Sequence, residues 1–148
     1  MSSNYKPAKL AQPVHACEFG NRVVFQDSAA ATGDLVAADI LNLCKIPAGT
    51  LVDRVVIKNA DLDSSTVLTA KIGFAPADGT AGDSGDDEAV AADASWGRTA
   101  ATTTYEIFPP FRCDVDSFLA VVVGTGATGS SGGGTVYGKV EGEALGAK

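Results

Sequence analysis

The sequence predicts an all-β fold, a two-sheet β-sandwich with the jelly roll as the preferred arrangement, and three observations lead there. Apolar residues come in short runs with period two: between Thr66 and Phe74, the side chains of Leu68, Ala70, Ile72 and Phe74 fall on one face. Gly, Ser and Asp punctuate these runs at close intervals, with 17 glycines in 148 residues, and no stretch carries a long helical period. About eight such runs fit the chain, which is the number of strands a jelly roll holds. A chain of this length buries roughly two thirds of its unfolded surface in one domain.

Taken in order, residues 1–13 hold Pro7 and Pro13 and little apolar periodicity, so they are expected to form an extended N-terminal arm. The domain then spans 14–148. Val14–Phe19 and Arg22–Phe25 read as two strands about a tight Gly20-Asn21 turn, followed by a loop from Asp27 to Asp34. Leu35-Val36 leads into Ile40–Ile46, where the alternation slips and Lys45 falls out of phase. Pro47-Ala48-Gly49 supplies turn chemistry, since Pro presets φ and Gly accepts a positive one. Leu51–Lys58 is the next strand, Asn59–Ser65 a polar corner, and Thr66–Phe74 another strand. An acidic insertion covers about 75–104, with helix propensity at Asp87–Ala94. Strands resume at Thr103–Phe108, break at Pro109-Pro110, and continue as Ser117–Val123 and Thr135–Gly142.

Charge narrows the function classes. Residues 61–93 contain eight acids against one base, Lys71, and so carry the whole formal charge of −7; the rest is balanced at ten acids and ten bases. No basic face for phosphate neutralisation is expected, so nucleic acid is not a predicted partner. The N-terminus lacks a secretory apolar segment, and the longest apolar run, Phe118–Val123, is far shorter than a membrane helix requires. The chain is expected to be soluble and made in the cytoplasm. Cys17, Cys44 and Cys113 are an odd, widely spaced set in strand-like sequence, read as reduced buried thiols with a disulfide between two of them as the alternative.

The motifs that suggest chemistry do not survive their context. Gly124, Gly126 and Gly129 have the G-x-G-x-x-G spacing of a dinucleotide loop, and they follow an apolar strand. A pyrophosphate site also needs a helix directly behind the glycines and a further strand with an acidic residue. Ser130-Ser131-Gly132-Gly133-Gly134 cannot start that helix. The stretch is expected to be a flexible loop joining two antiparallel strands of a final hairpin. Asp78, Asp83, Asp86, Asp87 and Glu88 offer hard oxygen ligands, but their spacing is not that of a calcium loop, so they read as solvated charge. One histidine, His15, and the absence of a nucleophile elbow leave no catalytic constellation. No enzyme activity, metal or cofactor is expected. Trp96 reads as a plug for the insertion or an interface anchor. Tyr5, beside Lys6 and Pro7 in the arm, has little core to serve and is a candidate for docking onto a partner, together with Lys6 and Lys9.

The stretch from Asp39 to Asn59, D-I-L-N-L-C-K-I-P-A-G-T-L-V-D-R-V-V-I-K-N, and the T-A-K-I-G-F-A-P of Thr69–Pro76 resemble capsid decoration, or cement, proteins of tailed bacteriophages with a jelly-roll fold. The resemblance is strongest over residues 35–77. It implies a structural virion protein made in the bacterial host, dimeric or trimeric, on the outer capsid surface. There it would bridge and stabilise major capsid subunits, with the arm reaching across a subunit boundary. The alternative is a jelly-roll binding module of a head fibre or tail that recognises a receptor or carbohydrate. A single Trp and 7% aromatic residues offer little for stacking on sugars.

Overall fold

A computed structural model describes residues 4–5, 13–14, 22–65, 67–77, 89–128 and 132–145. Among these residues there are ten strands and no helix: β1 (Asn4–Tyr5), β2 (Pro13–Val14), β3 (Arg22–Ala31), β4 (Ile40–Ile46), β5 (Thr50–Asn59), β6 (Thr69–Pro76), β7 (Ala91–Asp93), β8 (Ala101–Cys113), β9 (Ser117–Thr125) and β10 (Gly134–Ala144). They form two sheets, in the orders β1-β4-β9-β6-β7 and β2-β3-β10-β5-β8. From β3 onward the chain changes sheet at every connection except β6 to β7, and β9 and β10 enter the middle of sheets already laid down. Four antiparallel strands per sheet connected in this way make a jelly roll.

The period-two reading of the strands holds because each sheet has one face on the core. Leu68, Ala70, Ile72 and Phe74 are buried as a set, and so are Val136, Gly138 and Val140. The β6 set faces Val136 and Val140, which share the second sheet with Val23, Phe25, Ala29, Val55 and Ile57. The phase slip in Ile40–Ile46 is a bulge: the register with β9 shifts between Asn42 and Lys45, so Leu41, Leu43 and Ile46 are all fully buried although their spacing is uneven. The turn at Pro47 crosses from one sheet to the other, with Gly49 at φ 82° and the Thr50 hydroxyl donating to the Pro47 carbonyl at 2.8 Å.

Several local expectations are corrected. Asp27–Asp34 is not a loop throughout, because β3 runs on to Ala31 and pairs with β10 to its end. Ala29 and Ala31 are buried there, and the ladder outweighs the weak strand preference of Ala, Ser and Asp. The helix expected at Asp87–Ala94 is a strand over Ala91–Asp93, hydrogen-bonded to β6, while Asp87 and Glu88 lie outside the described residues. Pairing to a sheet edge overrides alanine's helical preference. The chain does not end a strand at Pro109-Pro110. β8 continues in the same direction to Cys113, but Val52 pairs with Phe111 and Arg54 with Glu106, which leaves Ile107–Pro110 opposite Asp53 alone. Of the expected first strand, Val14 belongs to β2 against β3, and residues 15–20 lie outside the described residues.

The glycine-rich stretch is also not a hairpin. β9 and β10 belong to different sheets, so the two strands that the stretch joins do not pair with each other. Two of its glycines, Gly126 and Gly133, serve close approach. A Cβ on Gly126 would lie 2.9 Å from the Leu35 carbonyl oxygen, and one on Gly133, where φ is +87°, only 2.2 Å from that of Ala31. Ala127 N–H donates to the Leu35 carbonyl at 2.8 Å. Gly129–Ser131 lie outside the described residues.

Candidate interaction surfaces

The core-facing residues of the second sheet leave the alternate side chains on its outer face. There Glu141, Arg54 and Glu106 stand opposite one another across β10, β5 and β8. Arg54 Nε lies 2.8 Å from Glu106 Oε1 and its Nη1 3.5 Å from Glu141 Oε2. Arg22 reaches the same Glu141 at 3.5 Å and also pairs with Asp53, and Lys139 pairs with Glu141. The Lys139 ammonium, followed by the two guanidiniums, holds the Glu141 carboxyl below the usual carboxylate range. Exposed pairs of this kind are worth about 1 kcal/mol or less each. Their effect is to leave this end of the face with its charges mutually satisfied.

Beside the network, Gln26, Ser28, Val56, Lys58, Tyr137 and Lys139 ring an open hollow of about 410 Å³. Tyr137 sits between Ser28 and Lys58 in the ladder and is 52% exposed. One edge of this sheet is β8, where Phe108 is 95% exposed. Phe108 precedes Pro109 and Pro110 in the four-residue bulge, and the Phe108–Pro109 peptide is cis. Two positions before it, Glu106 points outward, whereas Ile107 packs against the core. Phe108 therefore shares the outward phase of Thr104 and Glu106. Sequence reasoning missed this residue. The signal was present in T-T-T-Y-E-I-F, where Phe108 falls in the phase of the polar residues.

Of the residues singled out from sequence, Tyr5 lies in β1, which pairs in parallel with β4 of its own chain, Tyr5 opposite Leu41. Lys6, Lys9, His15, Cys17 and the acids from Asp78 to Glu88 lie outside the described residues. Trp96 takes the plug role: it is 3% exposed within the core cluster. It is locked there by the Gly97 carbonyl accepting from Leu62 N–H at 2.8 Å and by Arg98 Nε donating to the Leu68 carbonyl at 3.0 Å. Among the described residues no group of three or more His, Cys, Asp or Glu is arranged to hold a metal ion, and no helix is long and apolar enough to cross a membrane.

Cys44 and Cys113 are free and buried. Burial pushes the Cys44 thiol far up, with further contributions from Asp27 and Cys113, and burial pushes Cys113 up to about 12. Thiolate is the reactive form. Iodoacetamide at mildly alkaline pH is therefore expected to leave both cysteines unmodified in the native protein and to modify both in urea. Peptide mass spectrometry checks this; equal modification of Cys44 in the two states would contradict its burial.

Asp63 organises the corner between β5 and β6. Its Oδ1 accepts from the Ser65 hydroxyl at 2.6 Å and the Ser65 N–H at 3.0 Å, and its Oδ2 accepts from Val67 and Leu68 N–H at 2.8 and 2.7 Å. These donors, the Ser65 hydroxyl first, hold the carboxyl far below its ordinary 3.8. A lowered folded-state pKa means that the stabilisation is complete above the unfolded value and drains away as pH falls through the folded one. Asp63→Asn keeps one acceptor oxygen and loses the other. The variant is expected to be less stable at neutral pH and to show a shallower loss of stability below about pH 4. Urea midpoints measured against pH test both parts.

Comparison with proteins of known structure places the fold. The chain superimposes on a chain of the cyanophage Pam1 capsid asymmetric unit with a TM-score of 0.66 at 22% identity, covering 92% of this chain and 93% of that one. It superimposes on a chain of the capsid of Ralstonia phage GP4 with a TM-score of 0.64 at 18% identity, covering 93% and 92%. The sandwich is thus shared from end to end with two chains of closely similar length. No family model matches the chain, and no curated protein matches it by sequence.

Proposed function

We propose that this chain is a non-enzymatic structural protein of a tailed-phage virion. In this reading it lies on the outer surface of the capsid, where it bridges and stabilises subunits of the major capsid protein. One observation carries the reading: the whole jelly roll, with little left over in either chain, matches chains found in two phage capsid assemblies. The surface chemistry supports it. The outer face of the second sheet combines satisfied ion pairs with an exposed aromatic side chain, which suits docking by buried area rather than catalysis. Synthesis in the host cytoplasm fits the reduced Cys44 and Cys113.

Many copies on a closed shell multiply modest contacts, so capsid stabilisation needs no strong individual site. The test compares shells assembled from the accompanying major capsid protein with and without this chain, by calorimetry and by electron microscopy. Added density on the outer surface and a higher shell melting temperature are expected. Shells that neither bind the chain nor gain stability would refute the reading. Within it, Tyr5, Lys6 and Lys9 are the arm's proposed shell contacts. Deleting residues 1–13 should lower shell occupancy while the domain stays folded, and normal occupancy would remove the arm from the interface.

A further inference from the structure

We propose that the tip of the β8 bulge, Phe108-Pro109-Pro110, is an anchor that seats in an apolar recess of the major capsid protein. The inference rests on the virion reading above and adds to it the contact surface and the chemistry of the contact. Phe108 is the most exposed large apolar side chain among the described residues, at 95%, and both prolines beside it are exposed. The tip stands out because β8 leaves its ladder with β5 between Glu106 and Phe111. Both ends of it are fixed. Ile107 before the ring and Phe111 after the prolines pack against the core, and Phe111 stacks on Phe74 with centroids 4.7 Å apart. The ring is thus presented from a rigid base, so little ordering is lost when a partner takes it.

The surroundings of the tip define what receives it. The charges on either side are already paired, Glu106 with Arg54 at 2.8 Å and Asp114 with Arg112 at 2.9 Å. A partner has no free charge to answer here, so the matching recess is uncharged and apolar. Strand addition is not available, because Pro109 and Pro110 offer no N–H and the bulge interrupts the ladder. The contact is therefore a side-chain insertion. Its size points to the occupant. A buried phenylalanine hides about 150–250 Å², well below the roughly 1,200–2,000 Å² of a stable pair. The tip by itself does not hold a free soluble partner. It contributes where the same chain is held at other points too, as a chain on a closed shell is held by several subunits at once. The capsid subunit lying against β8 is accordingly the partner.

Two measurements on shells of the accompanying major capsid protein, loaded with the full chain, test this. In the first, Phe108→Ser is compared with the wild type and with Phe108→Leu for shell binding. The serine variant should bind about tenfold more weakly or worse, equally so at low and high salt, while the leucine variant keeps most of the affinity. Circular dichroism of all three should coincide, since the ring is 95% exposed and the fold does not use it. In the second, the photoreactive p-benzoylphenylalanine replaces Phe108 and the loaded shells are irradiated. A crosslink to an apolar segment of the major capsid protein is expected. Serine and wild-type chains that bind alike, or a crosslink that joins two copies of this chain or no protein at all, would overturn the proposal and leave the virion reading in place. A wild type that does not bind shells would overturn the virion reading, and this inference with it.

Discussion

A chain ended at Gly133 is expected to lose its cooperative fold altogether. The missing strand, β10, is the centre of the second sheet: it pairs with β3 from Gly134 to Glu143 and with β5 from Val136 to Ala144. Without it that sheet falls into two ribbons, β2 with β3 and β5 with β8. Two-stranded ribbons are marginal in water. The loss also uncovers Val23, Phe25, Val55 and Ile57 and removes Val136 and Val140 from the core. Near-ultraviolet circular dichroism and urea titration check the result. A truncated chain that still unfolds in a single cooperative step would mean that β10 is not essential to the sandwich. The same topology implies that the sheets close late in folding, because β9 and β10 must be inserted between strands distant in sequence.

The second large effect is expected at Phe74. Its ring, 1% exposed on β6, stacks on Phe111 of β8 with centroids 4.7 Å apart and planes 19° from parallel. One ring comes from each sheet, so the pair spans the interior. Phe74→Ala deletes a ring from a packed core, which typically costs about 3–5 kcal/mol. That is a large share of the roughly 5–15 kcal/mol by which a domain is stable. For a chain of this size the melting temperature should fall by on the order of 10 °C. Phe111→Ala should cost less, since Phe111 is only partly buried. The double variant should cost less than the sum, because the two residues share one contact. Calorimetry on the three variants decides the matter; a loss at Phe74 below about 1 kcal/mol would show that the core closes over the gap.

Much of the sandwich was legible because its signals are local. Alternation in Thr66–Phe74 and Thr135–Gly142 marks the core-facing side chains directly, since a strand turns every second residue the same way. Pro47-Ala48-Gly49 announced its turn, because only glycine takes φ 82° without strain. The misplaced elements were those decided by a distant partner. Ala29 and Ala31 look like loop residues until β10 lies beside them. Ala91–Asp93 looks helical until β6 presents an edge. The bulge at Asp53 moves the buried positions of β5 from Thr50 and Val52 to Val55, Ile57 and Asn59, a change of phase imposed by both neighbouring strands.

The candidate surface divides along the same line. The resemblance pointed to the arm, where Tyr5 proves to pair with β4 of its own chain. The outward phase of Phe108 was there to be read in T-T-T-Y-E-I-F, whereas the hollow beside Tyr137 emerged only when β5, β10 and β3 were set side by side. By itself the sequence determined strand chemistry, core faces, turns and the balance of charge, all of which act over a few residues. The tertiary structure alone decided which strands are neighbours and which outward side chains share a face. Those depend on hydrogen bonds and packing between segments that are remote in the chain, and no local pattern encodes them.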